Sequence, residues 1–517
     1  MARYDDFLKE FAELTLDKYD GSLKAEHGTG VNMAPFVRHE WGDRAYGLMW
    51  RIKDLMDPKG ILAPGVKLSR DDRIHIKHFK SHPRIEAVAN ACVECGFCES
   101  VCPSRYVTET PRQRIVVRRE MARQPEHSPV LEQLHNHYGY DAIDTCAADS
   151  TCSVACPISI DTGKMMKLFR ELEATRTEDR SMLALAKNWA KVETAGRAGL
   201  GAAAAVRKVL GNSVGNRVLG SLTDVLRTVI SEDIMYSARD GIPGPASGKL
   251  PRTGGGAKAA GALPTAVYFP ACINRMFGRQ GSAAGHGPSA DNLSLPETLV
   301  ALSRRAGKPL TIPDDVAGSC CGTPFSSKGY RDAKQFMAER VARNLWRWSD
   351  HGRLPVVVDA ASCTHGILEN IPEMVSGELA EQFSKVRVID AVTWAKEELL
   401  PELEVHHPLG RVVVHPTCSM QHLGIVEDFL EVAGATAEDV VVPLGAACCG
   451  TAGDRALLHP ELGESATRDE RAGVALAEEE GPVDAYLSDN RTCELGMEQQ
   501  TGRNYEHILY ALERATR

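Results

Sequence analysis

Cys92-Val-Glu-Cys95-Gly-Phe-Cys98-Glu-Ser-Val-Cys102-Pro103 is the stretch on which the fold turns. Its spacing, C-x2-C-x2-C-x3-C-P, wraps a [4Fe-4S] cube. Three thiolates on a tight loop hold three irons. The fourth, one short helical turn later, reaches across to a different cluster. Gly96 keeps the backbone close to the sulfurs. Structural zinc is the rival occupant of such thiolates.

Starting 54 residues after Cys92, Cys146-Ala-Ala-Asp149-Ser-Thr-Cys152-Ser-Val-Ala-Cys156-Pro157 repeats the pattern with Asp149 where the second cysteine belongs. Crossing the fourth ligands assigns Cys92, Cys95, Cys98 and Cys156 to one cluster, and Cys146, Cys152 and Cys102 to the other. Asp149 either supplies an oxygen to the second cluster or is a helix-capping carboxylate that never touches iron. The second cluster is accordingly a [4Fe-4S] centre with carboxylate or water at one iron, or a [3Fe-4S] centre. Two clusters in one small domain form an electron wire. Neither is expected to be a site of substrate chemistry.

The other eight of the 15 cysteines fall into two matching sets. Cys272, Cys320, Cys321 and Cys363 form the first, and Cys418, Cys448, Cys449 and Cys493 the second. VYFPAC pairs with VVHPTC, SCCGTPFSSKGY with ACCGTAGDRALL, and DAASCTHGI with DNRTCELGM. Cys448 lies 128 residues after Cys320 and Cys493 lies 130 after Cys363, but Cys418 lies 146 after Cys272. The mismatch places an insertion in copy one, at the Gly/Ser/Ala-rich stretch Gly278 to Asn292. The half-chain is a tandem repeat. β-branched runs (AVYFP, PVVVD, RVVVHP and DAYLS) lead into Cys272, Cys363, Cys418 and Cys493, with helical patterns between them, which reads as α/β. Four thiolates converging at strand ends suit a [4Fe-4S] cluster or zinc, against an alternative of inert buried cysteines. His365 is either a further ligand or a surface or supporting histidine. The remaining histidines and the acidic run Glu478-Glu479-Glu480 read as solvated surface.

Composition sets the outer limits. With 517 residues, 43% hydrophobic and 25% charged, the chain is an ordinary globular protein of about three domains. A net charge of −9 and the lack of a basic, aromatic-interleaved stripe argue against nucleic acid. MARYDDFLKEFAEL has no signal-peptide pattern, and no apolar run approaches the ~20 residues of a membrane span. A cytoplasmic location follows, where thiols stay reduced and serve as ligands.

The expected organisation is 1–80, 81–175 (dicluster), 176–239 (a helical connector), 240–265 (a linker), 266–400 (repeat one) and 401–517 (repeat two). Asp240 to Thr265 carries seven Gly and four Pro, the mark of a flexible linker. Between Arg197 and Leu222 the connector has Arg197, Arg207, Lys208 and Arg217 and no acid. It reads either as a helix lying on an anionic membrane surface or as one packed over the cluster domain. Residues 1–80 read as a helix from Arg3 to Leu16, a glycine-bearing stretch, and a second helix from Glu40 to Leu55 closed by Asp57-Pro58-Lys59-Gly60.

The paired repeats resemble the cysteine-rich CCG domain of heterodisulfide reductase and of the iron–sulfur subunits of glycolate and glycerol-3-phosphate dehydrogenases. That pattern ends in C-x2-C, whereas Ala360 and Asn490 stand at the first of those positions, so the resemblance implies four-thiolate sites here. Tyr19-Asp-Gly-Ser-Leu-Lys-Ala-Glu-His-Gly-Thr-Gly30, Trp41-Gly and Asp57-Pro-Lys-Gly-Ile-Leu-Ala-Pro-Gly65 are similar to the C-terminal end of FAD-linked oxidases of D-2-hydroxy acids. The resemblance implies His27 as the base taking a hydroxyl proton, Glu26 orienting it or holding a divalent metal, and Gly28 and Gly30 letting the backbone approach the flavin. A helix-capping turn is the plainer reading of that spacing. Ala63 stands where the family has Asn in its Leu-Asn-Pro-Gly turn, and Val31 where Arg is expected.

The order of parts resembles the long FAD-binding and (Fe-S)-binding D-lactate dehydrogenases over essentially the whole chain. Their large FAD-binding domain, which would precede Glu26, is not in this sequence. The expected fold class is α+β and multidomain: a remnant of an FAD-linked oxidase C-terminal domain, a helical dicluster ferredoxin-like domain, then a tandem α/β CCG repeat. The resemblance implies oxidation of a D-2-hydroxy acid, D-lactate foremost, at FAD, and single-electron transfer through the clusters to a quinone or cytochrome. The alternative is an electron-transfer subunit serving a separate FAD-binding chain. Either is expected in the cytoplasm, or peripherally on the inner face of the cell membrane.

Overall fold

The computed structural model describes all residues except 1, 25–29, 78, 80–81, 212–213, 222, 224–242, 252–262 and 280–292. The chain divides into two compact units, Met1–Pro83 and Arg84–Arg517.

In the first unit a helix runs over Ala2–Glu13 and a second over Val37–Met56, the latter broken at Gly42, whose φ of 71° is not helical. His75, expected at the surface, is buried against Asp5 at 2.7 Å. Asp57 closes the second helix by accepting the N–H groups of Ile61 and Leu62 at 3.0 and 2.9 Å and pairing with Lys53. Ala63 sits at φ 42°, a left-handed conformation that Asn tolerates better than Ala, so the residue that departs from the family pattern is also a strained one.

The second unit begins with the ferredoxin-like domain. Its cysteine loops rest on helices Pro111–Arg123, Pro129–Tyr138 and Thr162–Glu173, around a core of Ala89, Ile115, Met121, Tyr138, Ile143, Met165 and Met166. Thr110 and Gln113 form a capping box at the first of these helices, fixing where the loop ends. The connector follows as helices Arg176–Lys187 and Trp189–Leu210. Its first half packs on the first CCG module, with Trp189 edge-on to Phe325 and Glu193 paired with Arg275 at 2.8 Å in a buried ion pair. Arg197, one of the four cations of the membrane reading, donates to the Arg275 carbonyl at 3.3 Å. The connector therefore lies against the first module rather than over the clusters. No described helix is long and apolar enough to cross a membrane. Most of the linker, most of the insertion Gly278 to Asn292 and the end of the connector lie outside the described residues.

Each CCG module holds a four-stranded parallel sheet. Module one consists of β1 (Ala266–Phe269), β2 (Leu310–Thr311), β3 (Val356–Val358) and β4 (Val388–Asp390), in the order β2-β1-β3-β4. Module two consists of β5 (Leu409–Val414), β6 (Ala437–Val441), β7 (Ala485–Ser488) and β8 (Tyr505–His507), in the equivalent order β6-β5-β7-β8. The strands read from the sequence are β1, β3, β5 and β7, the inner pair of each sheet, whose unbroken apolar runs are the mark of strands covered on both faces. The outer strands are shorter or carry charge, as in Ala437-Glu-Asp-Val-Val, and give no such signal. In register, Val267 faces Val356 in module one and Val412 faces Ala485 in module two.

The modules share one core. Tyr268, Leu299 and Trp394 of module one are buried with Val414, Phe429, Leu487, Ile508 and Leu512 of module two. The C-terminal helix Ile508–Ala515 is the wedge, packing on both Leu295–Arg305 and Val426–Thr436. Burying a Leu- or Phe-sized side chain contributes roughly 1.5–3 kcal/mol, so the repeats are held as one body.

Candidate metal centres

The ferredoxin loops present two thiolate pockets. The first is lined by Cys92, Cys95, Cys98 and Cys156, with Phe97, Ile115, Ile158 and Ile160 as apolar walls. The second is lined by Cys102, Cys146, Cys152 and Asp149, with Ser150, Thr162 and Arg114. The crossed sets read from the spacing are thus brought together in space. Four sulfurs around an apolar hollow suit a cubane cluster; the second pocket offers three sulfurs, with Asp149 in its lining.

The two loops have one backbone. Glu94 and Ala148 both adopt positive φ (62° and 51°), and each N–H donates to the sulfur two residues before it, Cys92 or Cys146, at 3.3 Å. Gly96 and Ser150, the next equivalent pair, are also left-handed, at φ 91° and 60°. Asp149 therefore occupies the place of Cys95 in an otherwise unchanged loop. Ser150, not Asp149, precedes the helix Thr151–Ala155, and the Asp149 carboxylate accepts the Thr151 hydroxyl at 2.8 Å.

Three buried arginines, which no spacing rule picks out, surround these pockets. Arg114 lies 3.8 Å from Cys102 Sγ and donates to Ser104 Oγ at 2.8 Å. Arg119 donates to the Cys92 carbonyl, and Arg170 to the Ile143 and Cys146 carbonyls, at 2.5–2.8 Å. Fixed cations beside thiolates offset the charge of an anionic site. Burial would lower Arg114, but the Cys146 and Cys102 sulfurs outweigh it and hold its guanidinium charged. Burial pushes the thiols of Cys98 and Cys152 up to about 11 and about 12, so they ionise only against a cation or metal.

In both CCG modules the cysteines meet at the C-terminal ends of the central strands. In module one, Cys272 and Cys320 lie 3.6 Å apart and Cys321 and Cys363 lie 3.5 Å apart, sulfur to sulfur. The glycine of each CCG is left-handed, Gly322 at φ 85° and Gly450 at φ 71°, which turns the paired cysteines back toward the strand ends. Gly366 and Gly496, three residues after the last cysteine, let that helix close on Thr323 and Thr451. An added Cβ would stand 2.2 and 2.1 Å from those hydroxyls. In each module the second cysteine of the pair, Cys321 or Cys449, is held low by the hydrogen bonds its sulfur shares with two neighbouring thiols.

Module two brings other donors to its four thiols. His415, expected at the surface, is wholly buried and groups with Cys449 and Cys493. Asp149 of the ferredoxin-like domain groups with Cys418 and Cys448. Asn490, at the position of the missing family cysteine, donates to Cys493 Sγ at 3.6 Å, while its counterpart Ala360 is buried and has no donor to offer. His365 stacks on His422 with ring centroids 4.9 Å apart, and the His422 imidazole Nε2 contacts the Asp149 carbonyl at 2.8 Å. His365 thus belongs to the seam between domains. His507, also expected at the surface, is buried at the end of β8 and caps the C-terminal helix by accepting the Leu509 N–H at 3.2 Å. Among the acidic run, Glu478 is paired with Arg503 and Tyr486.

In the first unit Gly30 is left-handed at φ 70°, with open space where a Cβ would stand. Glu26, His27 and Gly28 lie outside the described residues.

Comparison with known proteins follows the same divisions. A family model for the C-terminal domain of FAD linked oxidases matches residues 1–66 and one for the 4Fe-4S dicluster domain matches 88–160. The cysteine-rich CCG model matches twice, over 266–367 and 412–498. These are the chain's three kinds of domain. The glycolate oxidase iron-sulfur subunit of Escherichia coli (strain K12) is 24% identical over 448 residues, covering 83% of this chain and 95% of that protein. One of the subunits that make up the anaerobic glycerol-3-phosphate dehydrogenase of the same strain is 23% identical over 198 residues, 38% of this chain and 49% of that protein.

Proposed function

We propose that this chain is the iron–sulfur electron-transfer subunit of a flavin-dependent 2-hydroxy acid oxidoreductase, with the flavin on a separate chain. The observation that carries the reading is the continuity of the thiolate sites. The loop bearing Cys146 and Cys152 also carries Asp149, which reaches Cys418 and Cys448 of module two. When bound, iron–sulfur clusters at these cysteines supply one-electron carriage with little rearrangement. The protein's part is to bury the sulfurs, donate backbone N–H groups to them and keep Arg114 charged beside them. A match to an iron–sulfur subunit over most of both chains supports this role.

The partner surface is read on the first unit. Phe7, Phe11, Trp41, Leu48, Ile52, Leu55 and Met56 are 45–79% exposed along its two helices. Apolar side chains so concentrated mark an interface, and a flavin-binding chain is the partner that the FAD-linked oxidase match favours. The substrate reading is a D-2-hydroxy acid, D-lactate or glycolate, oxidised on that partner, with a quinone or cytochrome as final acceptor.

The test is the visible spectrum of the chain purified alone and anaerobically. Iron–sulfur absorption without flavin bands, unbleached by D-lactate until a flavin-bearing chain is added, is the expected result. Flavin bands and bleaching in the isolated chain would instead make it a dehydrogenase in its own right, with His27 as base and Glu26 beside it.

A further inference from the structure

The two CCG modules share a topology but not a donor set. In module two, two groups of three potential ligands lie side by side, joined by the adjacent Cys448 and Cys449. Asp149, Cys418 and Cys448 form one, and His415, Cys449 and Cys493 the other; within each, all donor atoms are within 4.8 Å of one another. Among the described residues, the four cysteines of module one form no such group. Where module two has His415, module one has Phe269.

His415 is held as a ligand is held. Its Nδ1 contacts Glu470 at 2.7 Å, with both side chains wholly buried. Its Nε2 is buried and makes no hydrogen bond to any oxygen or nitrogen among the described residues; the neighbour it meets is the Cys449 sulfur. A buried imidazole fixed by a carboxylate at one nitrogen and turned toward cysteine sulfurs at the other is the arrangement that orients a histidine onto a metal. Asp149 comes from a different domain, on a loop whose carbonyl is tied to His422 of module two at 2.8 Å.

We propose that module two holds a mixed-ligand iron centre, in which His415 Nε2 and an Asp149 carboxylate oxygen bind metal beside the cysteine sulfurs. The centre is complete only with the ferredoxin-like domain docked. It is the port through which electrons leave the dicluster pair. An imidazole is neutral and a weaker electron donor than a thiolate, so histidine ligation raises the potential of an iron–sulfur centre. Electrons therefore run toward module two, while module one, with thiolates alone, lies off that route. The inference rests on the reading that the CCG cysteines bind iron.

The experiment uses the full chain, purified anaerobically with ¹⁵N-histidine or natural-abundance histidine, poised through a redox titration and examined by pulsed EPR. A histidine-nitrogen coupling is expected on one iron signal. It should disappear in His415→Phe/Glu470→Gln, which brings in the phenylalanine of module one and leaves no unpaired buried carboxylate, and that signal's midpoint potential should shift. Asp149→Asn should alter the same signal and leave that of the Cys92 pocket unchanged. Iron and sulfide analysis separates the two readings. Iron sufficient only for the dicluster pockets, or zinc in module two, overturns both the CCG iron reading and this inference. Iron in module two without a histidine coupling, or a coupling that survives the double substitution, overturns this inference alone.

Discussion

Module one closes its cysteine group with the phenyl ring of Phe269, packed against Trp348 at 5.5 Å between centroids, and module two closes its own with His415 and Glu470. The strand order, the left-handed CCG glycine and the glycine that lets the last helix close are the same in both. The duplicated parts are those that turn four cysteines toward one point. The parts that differ set what else reaches that point: both modules touch the ferredoxin-like domain, module one through Ser327 and Glu369 and module two through His422, but only module two receives Asp149 at its cysteines, while module one packs on the connector through Trp189 and Glu193. A duplicated fold has thus kept its scaffold and changed the side chains around its cysteines.

The sharpest way to break this comparison is to remove equivalent cysteines. Cys449→Ser and Cys321→Ser should each empty their own module, with metal affinity falling by more than about 100-fold, the upper range for losing a mere supporting group. Only Cys449→Ser should also stop electron delivery to an added acceptor. Metal content per chain and the rate of acceptor reduction check this, and equal loss of rate in both variants would remove the functional asymmetry.

Exchanging the closing residues should come next. His415→Phe alone leaves Glu470 buried without its partner and should cost about 3–5 kcal/mol. Phe269→His buries an imidazole with no carboxylate to meet it, and should cost about 1–3 kcal/mol. Chemical denaturation of the apo-protein measures both; a smaller loss for His415→Phe would show that the pair is not structural.

The glycines sharpen the shared part. Gly322→Ala and Gly450→Ala both force alanine into a left-handed conformation, at about 1–2 kcal/mol. At Gly450 the new Cβ would also meet the Leu462 carbonyl and Ala466 Cβ at 2.9 Å, whereas at Gly322 nothing lies closer than 3.7 Å. The module-two variant should therefore be the less stable by denaturation midpoint.

The smallest effect is in pH dependence. Asp390 and His507 end the fourth strand of their modules and cap the helix that follows. Burial lifts Asp390 from 3.8 to about 7 and lowers His507 from 6.5 to about 3. Asp390 is protonated in the fold, so its contribution is present below pH 3.8 and lost as pH rises through 7. His507 is neutral in the fold, so its contribution is present above pH 6.5 and lost as pH falls through 3. Asp390→Asn should flatten the first slope of Tm against pH by a few degrees and leave the second, acid-side slope in place.

The cysteine spacings, the inner strands and the tandem repeat were legible because each is a local or periodic pattern: a loop that wraps a cluster needs its sulfurs a few residues apart. The outer strands were not, since β2 has two residues and β4 and β8 three, too few to show a period. Nor was His415, whose only sequence signal was that the histidine of VVHPTC takes the place of the phenylalanine in VYFPAC. Its carboxylate partner lies 55 residues away. Buried His75 escaped for the same reason: its partner Asp5 lies 70 residues away.

By itself the sequence determined which thiols form groups, that one half of the chain is duplicated, and that Asp149 replaces a cysteine. Tertiary structure decided where Asp149 points, that His415 joins Cys449 and Cys493, and that the connector lies on module one. Local spacing fixes loops because the backbone reaches only ~3.3–3.6 Å per residue. Which loops face one another depends on how the two sheets and the ferredoxin-like domain bury their apolar faces together, and that is a property of the packed chain.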